Sequence, residues 1–117
     1  MKNFCIGLIA AAAMMTGLVL AADVGSSADV AGVRAAAHQK YPSNHTSGVH
    51  VLGNYALIDW YGGEASGYAA FKRVSGEQWK VIDFGGGATD VSDLVQHGVP
   101  SSVASRLCTG WGSSSPC

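Results

Sequence analysis

The chain is predicted to be an α+β protein built on an antiparallel sheet, and three observations predict it. Residues 27–40 read as a helix between a serine pair and a proline. From Val49 the apolar residues fall into a spacing of two. Short glycine-bearing turns separate the successive extended runs, which forces neighbouring runs to pair antiparallel.

Each element follows from its own residues. Ser26 with Asp29 three positions on approximates a capping box. The alanines of Ser27–Lys40 favour helix, and Lys40 suits its carbonyl end. Pro42 stops the helix by holding Tyr41 extended. Val30, Val33, Ala37 and Tyr41 share one stripe of it. Pro42–Gly48 reads as a polar loop, and its sequon Asn44-His45-Thr46 carries little weight. Val49–Leu52, Tyr55–Tyr61, Gly67–Val74 and Gln78–Phe84 read as four strands of a meander. They are joined by Gly53-Asn54, the Gly62–Ser66 loop and Ser75-Gly76-Glu77. Gly85-Gly86-Gly87 breaks the sheet. Thr89 or Asp90 then caps a short helix, Val91–His97, which Gly98 stops, and Pro100-Ser101-Ser102 opens a last helix to about Leu107. Helices following strands place the helical layer on one sheet face.

The start of the chain has its own logic. Met1-Lys2-Asn3 precedes an apolar run from Phe4 that ends in Ala21-Ala22, the pattern of a cleaved secretory leader. An uncleaved anchor is the alternative, since the run is nearly long enough to span a bilayer. Val19-Leu20-Ala21 or Leu20-Ala21-Ala22 can fill the cleavage site, and cleavage after Ala22 divides the chain into a leader, 1–22, and one domain, 23–117. Localisation is then periplasmic or extracellular, with no membrane attachment of the mature domain. Without Lys2 the domain holds six Lys and Arg against eight Asp and Glu, a net charge of −2. No basic run is present, so nucleic acid and anionic lipid are poor partners. An oxidising compartment closes the only mature cysteine pair, Cys108 with Cys117, into a tail loop. The chain-entropy account gives about 2–3 kcal/mol for so short a loop, tying down the tail more than the core.

The hairpin turns propose a register, though a one-residue slip reverses it. Centring the second loop on Glu64 pairs Ile58 with Ala70 and Leu57 with Phe71. Centring the third turn on Gly76 pairs Phe71 with Val81 and Ala70 with Ile82. One face then holds Ala56, Ile58, Trp60, Tyr68, Ala70, Ile82 and Phe84, with Lys72 and Lys80 at its edge, and is expected to be the core. The opposite face presents Leu57, Phe71, Trp79 and Val81, rimmed by Asp59, Asp83 and Arg73. An aromatic patch of this kind on a small domain suggests a partner surface unless the loops or C-terminal helices cover it.

No constellation compels a catalytic reading. Asp59 and Asp83 point the same way in that register but lie two strands apart, roughly 10 Å by the interstrand spacing. Solvated acids on a mixed face explain them better than paired acid–base chemistry. His38, His45, His50 and His97 show no metal-ligand spacing, so no metal and no cofactor is expected. Ser66 lacks the first glycine of a nucleophile elbow, because Glu64 stands there. Gly85–Gly87 lets a backbone approach a ligand, but Asp90 beyond it repels anions.

The run Tyr55-Ala56-Leu57-Ile58-Asp59-Trp60, with Gly63-Glu64, Gly67-Tyr68-Ala69, Gly76-Glu77-Gln78-Trp79-Lys80-Val81-Ile82, Gly85-Gly86-Gly87-Ala88, Leu94 and Gly98-Val99-Pro100, resembles a family of small exported bacterial proteins without an assigned role. The resemblance covers about residues 49–107. It implies export and a compact fold and brings no catalytic residue with it. The expected function is therefore an exported interaction protein, of which an inhibitor or immunity-type binder of another exported protein is one form. A small-ligand or hydrolytic domain using Gly85–Gly87 and nearby acids is the first alternative, and a structural envelope component the second.

Overall fold

The structure is a computed structural model that describes residues 23–112 and 115–117. The expected leader, 1–22, lies outside the described residues. The element order is α1 (Ser27–Lys40), β1 (His45–Leu52), β2 (Tyr55–Gly62), β3 (Ala65–Ser75), β4 (Gln78–Gly86), α2 (Val91–Gln96) and α3 (Ser101–Leu107). The fold is α+β, and the strands form one antiparallel meander in the order β1-β2-β3-β4.

The helix starts and stops obey the capping rules. Ser26 Oγ accepts the Asp29 N–H at 3.1 Å, which satisfies one of the open donors at the start of α1. Asp90, rather than Thr89, does the same for α2, accepting the Asp93 N–H at 2.8 Å. Strand β1 begins earlier than the apolar pattern indicates, at His45. Two polar contacts and a bulge extend it through the polar stretch. Arg34 donates to the Thr46 carbonyl at 2.8 Å, the Gly48 N–H donates to Asp59 Oδ1 at 2.7 Å, and a bulge near Ser47 absorbs the irregularity.

The register of the sheet corrects the expectation. Gly63, at φ 60°, allows a two-residue turn at Gly63-Glu64, so Gly62 pairs with Ala65. The whole hairpin is thereby shifted by one residue. Ile58 faces Ala69 and Leu57 faces Ala70. Between β3 and β4, Phe71 does pair with Val81, but a bulge at Ile82 then sets Ala70 against Asp83 and Ala69 against Phe84.

The slip sorts the apolar side chains into two cores rather than one. Val33 and Ala37 of α1 pack with Val49, Val51, Ala56, Ile58, Trp60, Ala69, Phe71 and Trp79. On the opposite side Leu57, Tyr68 and Ala70 pack with Leu94, Val99, Ala104, Leu107 and Trp111. The two C-terminal helices thus cover one sheet face as expected, and α1 covers the other. Both Leu57 and Ile58 are fully buried.

The tail is part of the second core. The Cys108 and Cys117 sulfurs are at bonding distance, 2.08 Å. Inside the loop they close, Trp111 stacks on the buried His50 ring with 3.7 Å between centroids. The Pro116 carbonyl accepts the Thr89 N–H at 2.6 Å, bringing the tail back to the end of the sheet.

Candidate functional site

The seven residues expected to form one exposed face do not share a face. Phe71, Trp79, Val81 and Arg73 lie on the α1 side, while Leu57, Asp59 and Asp83 lie on the side of the C-terminal helices. Leu57, Phe71 and Trp79 are buried. The aromatic patch is core, because the one-residue slip and the bulge divide it between two helical covers.

Arg73 and the acids have individual roles instead. The Arg73 guanidinium holds Asp29 of α1 and donates to the carbonyls of Gly53 (2.9 Å) and Gly76 (2.6 Å). It also lies 4.4 Å above the Trp79 ring centroid. Asp83 is nearly buried, and its Oδ2 makes no hydrogen bond. His97 Nδ1 approaches that oxygen to 3.4 Å but donates to the Asp93 carbonyl at 2.8 Å. Burial chiefly raises the pKa of the neighbouring Tyr68 hydroxyl, and the Asp83 carboxylate raises it further.

Asp59 borders an open cleft of about 290 Å³ at the end of the sheet, with Tyr61, Ser66, Gly67 and Gly87 among its walls. Burial pushes the Asp59 carboxyl up, against the opposing pull of the Gly48 N–H it accepts. Gly87 of the glycine run lines this cleft. Gly85 has another cause, since a Cβ there would meet the Tyr68 ring and hydroxyl at 2.8–3.0 Å. Among the described residues no three His, Cys, Asp or Glu side chains gather as a metal site.

The sheet has two edges, and they differ. Along β1, Val24 forms a parallel bridge, with its N–H on the Val49 carbonyl at 2.8 Å and its carbonyl on the Val51 N–H at 2.7 Å. Asp23 accepts the Val49 N–H at 3.1 Å beside it. Strand β4 pairs with β3 alone, and no described residue hydrogen-bonds its outer side. Two adjoining recesses run between that edge and α1. One, of about 430 Å³, is bounded by Ala36, Gln39, Lys40, Trp79, Lys80 and Val81. The other, of about 330 Å³, runs from Gly32 to Glu77 and shares the Trp79 wall. Gly32 permits this close approach of helix and strand, as a Cβ there would lie 2.9 Å from the Glu77 carbonyl.

The charges around the β4 edge are uneven. Arg34 is engaged by Asp23, and Arg73 by Asp29 and Glu77. Lys40, Lys72 and Lys80, the lysines of the described domain, enter no ion pair among the described residues. Lys72 and Lys80 stand directly opposite each other on β3 and β4, and both are exposed. Like charges so placed repel unless something neutralises them. In the sequence both read only as residues at the edge of the expected core face. Their equal distance from the Gly76 turn is the signal that they face one another.

No family model, no curated protein and no solved structure matches the chain. No helix among the described residues is long and apolar enough to cross a membrane.

Proposed function

We propose that the chain is an exported protein-binding module, its leader removed after Ala22 and its mature domain acting by holding another exported protein. The single observation that carries the binding reading is the open β4 edge beside the α1 recess. Both faces of the sheet are already covered by helices, and the β1 edge is occupied by Val24, so β4 offers the main chain that a partner can use. The Met1–Ala22 leader pattern and the Cys108–Cys117 pair support export. The test is capture from the exported fraction with the mature domain, 23–117, as bait. A saturable partner in stoichiometric amount is expected. Recovery of no partner from any exported fraction contradicts the reading.

The Asp59 cleft favours a second reading, a small polar ligand held at the end of the sheet. A cleft lined by this acid is what that reading requires, but its volume sits at the lower limit of ligand pockets, about 300 Å³. A nucleophile hydrogen-bonded to a base is absent among the described lining residues. Binding of a small amine or polyol that Asp59→Asn abolishes would establish it over the first.

A further inference from the structure

We propose that the β4 edge selects an extended partner segment whose side chains alternate between apolar and acidic. This rests on the binding reading above and names the partner's chemistry. A strand added beside β4 continues the pleat, so its alternate side chains fall on the two faces of the sheet. On the α1 side they meet Ala36, Trp79 and Val81 in the recess, then Phe84, which is 38% exposed and stacked on Tyr41 at 4.0 Å. That side takes apolar groups. On the other side they meet Lys80, with Lys72 behind it, while the carboxylate further along that face, Asp83, is nearly buried beside His97. Neither lysine has an acid partner within the described domain. Carboxylates on the incoming strand supply the missing counter-charge.

Edge lysines and a bulge ordinarily guard a sheet against indiscriminate pairing, and β4 has both. Here the guard also discriminates, because a neutral or basic strand leaves the Lys72–Lys80 repulsion in place while an acidic one relieves it. A second copy of the chain is disfavoured by the same charges, since pairing β4 with β4 gathers two sets of these lysines at one seam.

The experiment uses the mature domain and three eight-residue peptides: alternating Val and Glu, alternating Val and Lys, and the Val–Glu sequence with a central proline. Amide shifts of the labelled protein are followed by NMR. The Val–Glu peptide is expected to move the amides of residues 78–84 and 32–40, and the other two to bind at least tenfold more weakly. The Lys72→Glu, Lys80→Glu double variant is expected to reverse the preference toward the Val–Lys peptide. Equal binding of both charge forms overturns the proposal, as do shifts located elsewhere, self-association through β4, or no binding at millimolar peptide. A natural partner whose affinity for the folded double variant is unchanged removes this site but leaves the binding function standing.

Discussion

The Arg73 guanidinium grips the Asp29 carboxylate as a fork, Nη1 to Oδ1 at 3.0 Å and Nη2 to Oδ2 at 3.1 Å. Through this pair the first turn of α1 is tied to both the Gly53-Asn54 and the Gly76 turns, whose carbonyls Arg73 also holds. A planar two-pronged donor is needed for this, and lysine cannot replace it.

Arg73→Lys is therefore expected to lower the melting temperature, although the charge is kept. The hydrogen bonds from Arg73 hold the Asp29 carboxyl below its ordinary pKa. A depressed folded-state pKa adds stability above the unfolded value, and that stability is lost as the pH falls through the folded one. Thermal melts from neutral pH to about pH 2 should show Asp29→Asn less stable than wild type at neutral pH, with the gap narrowing below about pH 4. A constant gap at every pH would contradict the pairing.

Two consecutive residues of β2, Leu57 and Ile58, point into opposite cores and are both buried. Leu57→Ala and Ile58→Ala are each expected to cost about 2–5 kcal/mol, measured from denaturant midpoints. A half-exposed sheet face would make one of them cheap. Trp79→Ala is likewise expected to destabilise, by about 3–5 kcal/mol, because it is a wall between α1 and β4 rather than an exposed anchor.

Trp111 closes the second core from inside the cysteine loop. Trp111→Ala is expected to cost about 3–5 kcal/mol. Cys117→Ser is expected to cost up to roughly 2–3 kcal/mol, since opening the loop frees the tail in the unfolded chain and loosens Trp111 in the folded one. Calorimetric melts of the two variants check this. A Cys117→Ser protein as stable as wild type would mean that Trp111 docks without help from the loop.

Asp59 works in the opposite sense to Asp29. Burial raises its folded-state pKa, so stability present below the unfolded value is lost as the pH rises through the folded one. Asp59→Asn removes that loss and keeps an acceptor for the Gly48 N–H, so it is expected to be at least as stable as wild type at pH 7. Asp59→Ala leaves that N–H without its partner and is expected to be less stable. Chemical denaturation of both variants at pH 7 decides the order.

Much of the fold is legible in the residues. Ser26, Pro42 and the alanines mark α1, and Gly53-Asn54 and Gly76 mark two of the turns. The faces are harder to read, because side chains alternate and a slip of one residue exchanges them. Leu57 and Phe71 illustrate this. A two-residue turn at Gly63-Glu64, where the longer Gly62–Ser66 loop is expected, shifts the register by one and moves Phe71 opposite Ala56 and under α1. The Ile82 bulge carries no local sequence mark, and with it Asp83 moves beside Ala70. The sheet reads as half-solvated because Asp59, Asp83 and Arg73 interrupt it, whereas Asp59 accepts the Gly48 N–H, Arg73 holds Asp29, and Asp83 is nearly buried beside His97. The β4 edge depends on what Val24 covers at the far edge, a long-range pairing that periodicity does not reveal.

The most direct test is residue-by-residue amide exchange of the free domain, residues 23–117. Strands β2 and β3, paired on both sides, should exchange near the global-unfolding limit, and the β1 amide of Val51, held by Val24, should be protected too. The β4 amides from 78 to 86 whose N–H points away from β3 should exchange much faster, and should slow when a partner strand is added. Outer β4 amides as slow as those of β3 in the free monomer would mean that the edge is already covered, and would contradict a binding function located there.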